Sequence, residues 1–179
     1  MHLPDIIASA RMHEATGSGR VVFALALAAG LSGPVLWVQD ARRRDGLYAP
    51  GLAAFLDPAR IVLARPTGPL PLLQVTEEAL RSGAVPLVLA ELAEAPDLTA
   101  SRRLQLAAGT GGGRGLCLIP EDRLRTNAAE TRWRAEPVPG VDFCQRWEIL
   151  KNKRGRLGAW QVRWTGRGFV EAGGETVTA

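Results

Sequence analysis

Apolar and polar positions change rhythm several times along the chain, and each rhythm specifies an element. Residues 11–16 (RMHEAT) read as a short first strand. Residues 20–31 (RVVFALALAAGL) are apolar nearly all round, which predicts a helix covered on several sides and stopped by Gly30 and the SGP at 32–34. PVLWVQ at 34–39 is a continuous β-favouring run, the texture of a strand buried on both faces. A short helix at 49–56 and a third strand at about 60–65 follow. Leu72, Leu73, Val75, Ala79 and Leu80 recur at helical spacing over 72–83, and Gly83 ends that helix. AVPLVLAEL at 84–92 is a fourth apolar strand, with Pro86 confined to its start because proline cannot donate to a sheet. A helix capped by Asp97 or Thr99 and ended by Gly109, then a fifth strand at 114–120, complete an alternation of strands and helices. Such alternation builds right-handed βαβ units on a parallel sheet.

After Pro120 the texture changes. TRWRAEPV, QRWEILK and AWQVRWT alternate large apolar with charged residues, and Trp160, Val162 and Trp164 share one face. NKRGRLG at 152–158 reads as a hairpin loop between the last two runs. These runs predict antiparallel strands added to the parallel core, with one face wet. The expected fold is therefore α/β, a mainly parallel twisted sheet with helices on both faces and C-terminal antiparallel strands. The expected division is a short N-terminal segment at 1–10 with a candidate helix at PDIIASA, a core domain at 11–168, and a frayed tail at 169–179.

Composition adds bounds. One domain suits 179 residues, and a chain of this size needs no disulfide or metal to stabilise its core. A net charge of +4 permits nucleic-acid contact without requiring it. Cys117 and Cys144 are in no metal-ligand spacing, and Cys117 lies in the apolar run GLCLIP as a small buried side chain. His2 and His13 have no partner at ligand spacing, so no metal is expected. The first residues lack the basic and apolar regions of a signal peptide, and the run from Val21 to Leu31 is too short to span a bilayer. A cytoplasmic protein without a membrane partner is expected.

The stretch TGSGR at 16–20 leads into the first helix as a phosphate loop would. A working loop, G-x-x-x-x-G-K-[ST], wraps the phosphates in backbone N–H groups, reaches them with lysine and holds Mg²⁺ with a hydroxyl. Here the loop is shorter, Arg20 replaces the lysine, and Val21 and Val22 offer no oxygen ligand. The stretch reads as a plain turn before a helix. The weaker functional reading is residual anion binding by Gly17, Ser18, Gly19 and Arg20 without hydrolysis.

In order, the glycine-rich turn and helix, VLWVQDAR, DPARIVLARP, ALRSGAVPLVLAEL, a Ser/Arg-rich helix and NKRGRLGAWQVRW resemble the RecA ATPase core. GPVLWVQDAR, LYAPGLAAFLDPARIVLAR, EEALRSGAVPLVLAEL and LTASRRLQLAA are similar to one degenerate branch, the ImuA-type inducible mutagenesis proteins related to the division inhibitor SulA. The resemblance covers residues 11–165 and implies a RecA-like three-layer core. It aligns Glu14 with the end of the first RecA strand, from which the loop runs about ten residues to its lysine, against six to Arg20 here. It aligns Glu91 with the aspartate that helps position the metal, and Ala41, beside Asp40, with the activating glutamate. With lysine, hydroxyl and base all lost, it implies no catalytic residue and no bound ATP or other cofactor.

The role so implied is a non-catalytic accessory of SOS-inducible mutagenic translesion DNA synthesis. Its expected partners are an ImuB-type inactive relative of Y-family polymerases, with an error-prone polymerase alpha subunit and RecA. The alternatives are a DNA-dependent ATPase using Arg20 and Glu91, and a SulA-like inhibitor of cell division. A RecA-type polymerising arm is truncated or absent by this alignment, which leaves its docking surface open to a partner segment added as a strand or helix. Arg123, Arg125 and Asn127 stand where a RecA DNA loop would be. Lys151, Lys153, Arg154 and Arg156 interleave with Trp147 and Trp160 as a basic and aromatic set suited to single-stranded DNA. The blander readings are a solvated loop, and tryptophans facing the core with charges facing water. Direct DNA binding is expected to be weak or absent. Arg42, Arg43 and Arg44 read as a solvated charge run, as do Arg102 and Arg103.

Overall fold

The computed structural model describes residues 6–44, 46–140 and 143–172. The candidate helix at PDIIASA falls partly, and His2 and the chain beyond residue 172 wholly, outside them. The elements are β1 (Arg11–Thr16), α1 (Arg20–Ala29), β2 (Val35–Val38), α2 (Ala49–Ala53), β3 (Ile61–Ala64), α3 (Pro69–Ser82), β4 (Leu87–Glu91), α4 (Leu98–Gly111) and β5 (Arg114–Leu118). Four strands follow: β6 (Thr131–Pro137), β7 (Cys144–Asn152), β8 (Ala159–Trp164) and β9 (Phe169–Glu171).

All nine strands join one sheet in the order β3-β2-β4-β5-β1-β6-β7-β8-β9. Pairing is parallel from β3 through β6 and antiparallel from β6 to β9. This is the α/β architecture read from the sequence, and it is consistent with a RecA-like core. The apolar runs explain it. β4 is buried along its whole length, as a strand covered on both faces must be. Alternation then sorts its side chains: Leu87 and Leu89 face a core with α1 and α2, while Val88 and Ala90 face a core with α3 and α4. Helix α1 buries every residue from Phe23 to Ala28, in keeping with its all-round apolar character. No helix among the described residues is long and apolar enough to cross a membrane.

Three local expectations change. Asp97, not Thr99, caps α4, its carboxylate accepting from the Ala100 N–H at 2.7 Å. That helix runs past Gly109 and stops at Gly112, which adopts a left-handed φ of +77°. The expected third strand forms as β3, at an edge of the sheet with Val62 and Leu63 exposed. Phe169–Glu171, expected as the start of a frayed tail, instead pairs with β8 as β9. Aromatic packing holds that last strand: the Phe169 ring lies 4.8 Å from Trp147 and 5.1 Å from Trp164. A short turn sequence gives no sign of such a contact.

Candidate functional site

The loop between β1 and α1 lies where a RecA-type site would hold phosphate, and another part of the chain closes it. The Glu136 carboxylate on β6 accepts from the Ser18 N–H at 3.2 Å and from the Ser18 hydroxyl. The Gly19 N–H donates to the Ala135 carbonyl at 2.8 Å. Approach is so close that a Cβ at Gly17 would sit 2.4 Å from the Ala135 oxygen, and one at Gly19 would sit 2.8 Å from Gln145 Oε1. Gly17 also holds φ at +87°, which favours glycine. Arg20 turns back and donates to the Gly17 carbonyl at 2.9 Å. The donors that would wrap an anion are thus spent on the protein's own carboxylate and carbonyl.

The second half of the would-be nucleotide site is occupied in the same way. Glu91, at the end of β4, is buried. Its Oε1 accepts from Trp37 Nε1 at 2.7 Å and from Gln39 Nε2 at 3.4 Å, and its Oε2 pairs with Arg43 at 2.5 Å. A guanidinium therefore occupies the Glu91 carboxylate. Arg43, expected as part of a solvated run, is exposed but pairs with the buried Glu91, while Arg42 pairs with Asp40 at 2.7 Å. That bond from Arg42 holds the Asp40 carboxyl down to about 2. Arg103 is exposed, as expected, and also pairs with Glu77 at 2.7 Å. Around Glu91 and Arg20 opens a cleft of about 680 Å³ with Leu72, Leu73, Leu92 and Leu118 in its walls. It lies at the carboxyl ends of parallel strands, the usual place for ligands in such sheets.

Part of the set singled out for DNA contact is drawn into an internal arrangement. Asn127 is buried, and its side-chain amide donates to Glu14, so it is not the solvated loop residue the sequence suggested. Lys151 Nζ donates to the Asn127 carbonyl at 2.8 Å, and Lys153 Nζ to the Ala128 carbonyl at 2.6 Å. Partial burial and the neighbouring Lys153 lower the Lys151 pKa. Arg154 pairs with Glu130 at 3.0 Å, Arg125 with Glu94, and Arg123 with Asp122 at 3.3 Å. Arg156 is exposed. Trp147 is fully buried and Trp160 half-buried. Lys151 of β7 and Lys153 of its hairpin clamp the carbonyls of the stretch before β6, while Arg123, Arg125, Arg154 and Arg156 stay exposed.

Beneath this clamp lies a polar chain that no local pattern in the sequence signals. His13 and Glu14 are both fully buried in β1. His13 Nε2 bonds the Ala8 carbonyl at 2.9 Å, and Nδ1 bonds the Thr131 hydroxyl at 2.7 Å. A carbonyl only accepts, so Nε2 carries the proton and Nδ1 accepts from the hydroxyl in the neutral ring. Burial pushes the His13 pKa down to about 4. The unfolded chain, with an ordinary value near 6.5, binds this proton first as pH falls. Stability is therefore full above about pH 6.5 and declines towards pH 4, by about 3 kcal/mol from this group. Urea unfolding at pH 7 and pH 4.5 should show a steeper loss in the parent than in His13→Gln; equal losses would contradict the assignment.

Among the described residues no cluster of three or more histidine, cysteine, aspartate or glutamate side chains could hold a metal ion. Cys117 and Cys144 are buried and unbridged. No family model matches the chain. It is 36% identical over 178 residues to Protein ImuA of Caulobacter vibrioides (strain NA1000 / CB15N), an alignment covering 86% of this chain and 71% of that one. Protein ImuA of strain ATCC 19089 / CIP 103742 / CB 15 is similar to the same extent. By that identity over most of both chains, the protein belongs to the ImuA family.

Proposed function

We propose that this protein is a non-catalytic adaptor in the DNA-damage mutagenesis response, serving translesion synthesis through contacts with an ImuB-type inactive polymerase relative. An error-prone polymerase alpha subunit and RecA are the further partners of this reading. The observation that carries it is the loop of residues 17–20, whose donors are taken by Glu136 and Ala135 while Arg43 takes Glu91. Phosphoryl transfer needs a cradled triphosphate, a metal and a positioned nucleophile. An arginine-bound glutamate and a carboxylate-filled loop disfavour all three. ATP is accordingly not a cofactor in this reading. Direct contact with DNA is weak in this reading, because Lys151 and Lys153 bond backbone carbonyls and Arg125 and Arg154 pair with carboxylates.

Titration with ATP and magnesium by calorimetry tests the reading. The expected result is no magnesium-dependent binding at millimolar nucleotide. Tight, metal-dependent binding would replace the adaptor with an ATPase. Co-purification with an ImuB-type partner tests the contact itself, and a free chain in the presence of that partner would refute it.

A further inference from the structure

We propose that the groove between α4 and the β7–β8 hairpin docks an acidic segment of a partner protein that carries an aliphatic side chain among its carboxylates. The inference rests on the adaptor reading and names the chemistry of the segment such an adaptor would hold. The groove encloses about 630 Å³, and its lining includes Arg11, Glu130, Lys153 and Arg154 and, from α4, Leu106 and Gly109. Arg11 opens β1 and pairs in register with Arg114, which opens β5, whereas Glu91 ends β4. The groove therefore lies at the amino ends of the parallel strands, the far end of the sheet from the Glu91 cleft.

Charge selects the occupant. Glu130 is buried, and its single carboxylate is shared by Arg11 at 3.6 Å and Arg154 at 3.0 Å. Lys153 Nζ bonds the Ala128 carbonyl, which brings no charge to balance it. Three cations thus face one carboxylate, and the surplus is positive. Arg102 stands one turn before Leu106 on the same face of α4, exposed and with no carboxylate partner among the described residues. Leu106 is 72% exposed, and a Cβ at Gly109 would meet nothing within 4 Å, so this wall offers an apolar patch with open space beside it. Covering that patch with an aliphatic side chain adds to the ionic attraction. These features favour a peptide over nucleic acid. A phosphate backbone has no aliphatic group to cover Leu106, and single-stranded bases need exposed rings to stack on. Trp147 and Trp160 pack in the core on the α1 face of the sheet, whereas α4 packs on the other face.

Fluorescence anisotropy of the full chain with the labelled peptides DEDLLEDE, DEDSSEDE and KKKLLKKK, and with a labelled oligothymidylate, tests this. DEDLLEDE should bind about tenfold more tightly than either other peptide, from exposed charge pairs and one covered leucine. Its affinity should fall as salt rises. Leu106→Gln should erase the advantage of DEDLLEDE over DEDSSEDE, and Arg154→Gln should weaken both acidic peptides, with circular dichroism that of the parent in each variant. Equal affinity of the acidic and basic peptides, no binding of DEDLLEDE, or an affinity that neither substitution changes overturns the proposal. Tighter binding of the oligothymidylate than of DEDLLEDE would assign the groove to a phosphate backbone and also overturn it. The adaptor reading is tested separately: a complex with the ImuB-type partner that survives Leu106→Glu combined with Arg154→Gln defeats the groove assignment alone, whereas absence of any complex in the parent defeats the adaptor reading.

Discussion

Glu14→Ala is expected to lower stability by about 3–5 kcal/mol, the cost of leaving a buried ion without its partner. Glu14 is fully buried in the central strand β1. Its Oε2 accepts from Arg132 Nε at 2.7 Å and lies 2.7 Å from Nη2, and its Oε1 accepts from Asn127. Arg132 is itself only 14% exposed, so removal of the carboxylate strands a guanidinium that water scarcely reaches. The consequences spread. Arg132 Nη2 also donates to the Arg125 carbonyl at 2.5 Å, so the stretch before β6 loses its anchor together with Asn127. Urea denaturation measures the loss. The double variant Glu14→Leu with Arg132→Leu should recover much of it, because an apolar pair of similar volume does not carry the desolvation cost of the ions. A single substitution costing under about 1 kcal/mol would show that the pair is solvated.

Trp133→Ala is expected to cost about 3–5 kcal/mol through the cavity it leaves. The side chain is fully buried between α1 and the antiparallel strands. Its ring lies 5.2 Å from Phe23 and 5.9 Å from Trp160, and Phe23 in turn meets Trp147 edge-on at 5.1 Å. The indole N–H donates to the Thr131 hydroxyl at 2.9 Å, the same hydroxyl that bonds His13. Truncation thus opens the aromatic core and disturbs the polar chain beside it. Trp133→Phe keeps most of the ring contact and loses the donor, so its cost should be a fraction of the alanine cost. Thermal unfolding followed by far-ultraviolet circular dichroism separates the two, and near-equal melting temperatures for parent and alanine variant would refute the packing role.

Much of the element order was legible because it rests on local patterns. The run LVLAE and the all-round apolar α1 are statements about burial that neighbours in sequence already make. Loss of the lysine, hydroxyl and base was legible for the same reason, since each is a residue at a known offset. What replaced them was not legible. Ser18 and Glu136 are 118 residues apart, and Glu14 is equally far from Arg132. Arg43 carried a faint signal, a cation just past a strand end, and its neighbours in the charge run concealed it. Asn127 looked like a loop residue by composition, and only the return of the chain beside β1 buries it.

The sequence by itself determined the alternation of strand and helix, the two-faced burial of the central strands, and the departure of residues 16–22 from the phosphate-loop pattern. Periodicity and residue chemistry are local, and local information suffices for these. The tertiary structure alone decided that a carboxylate closes the loop, that an arginine takes the glutamate of β4, that the hairpin cations clamp the chain before β6, and that β3 is left as an edge. Each of these depends on which distant segments meet, and that is set by the strand order of the sheet.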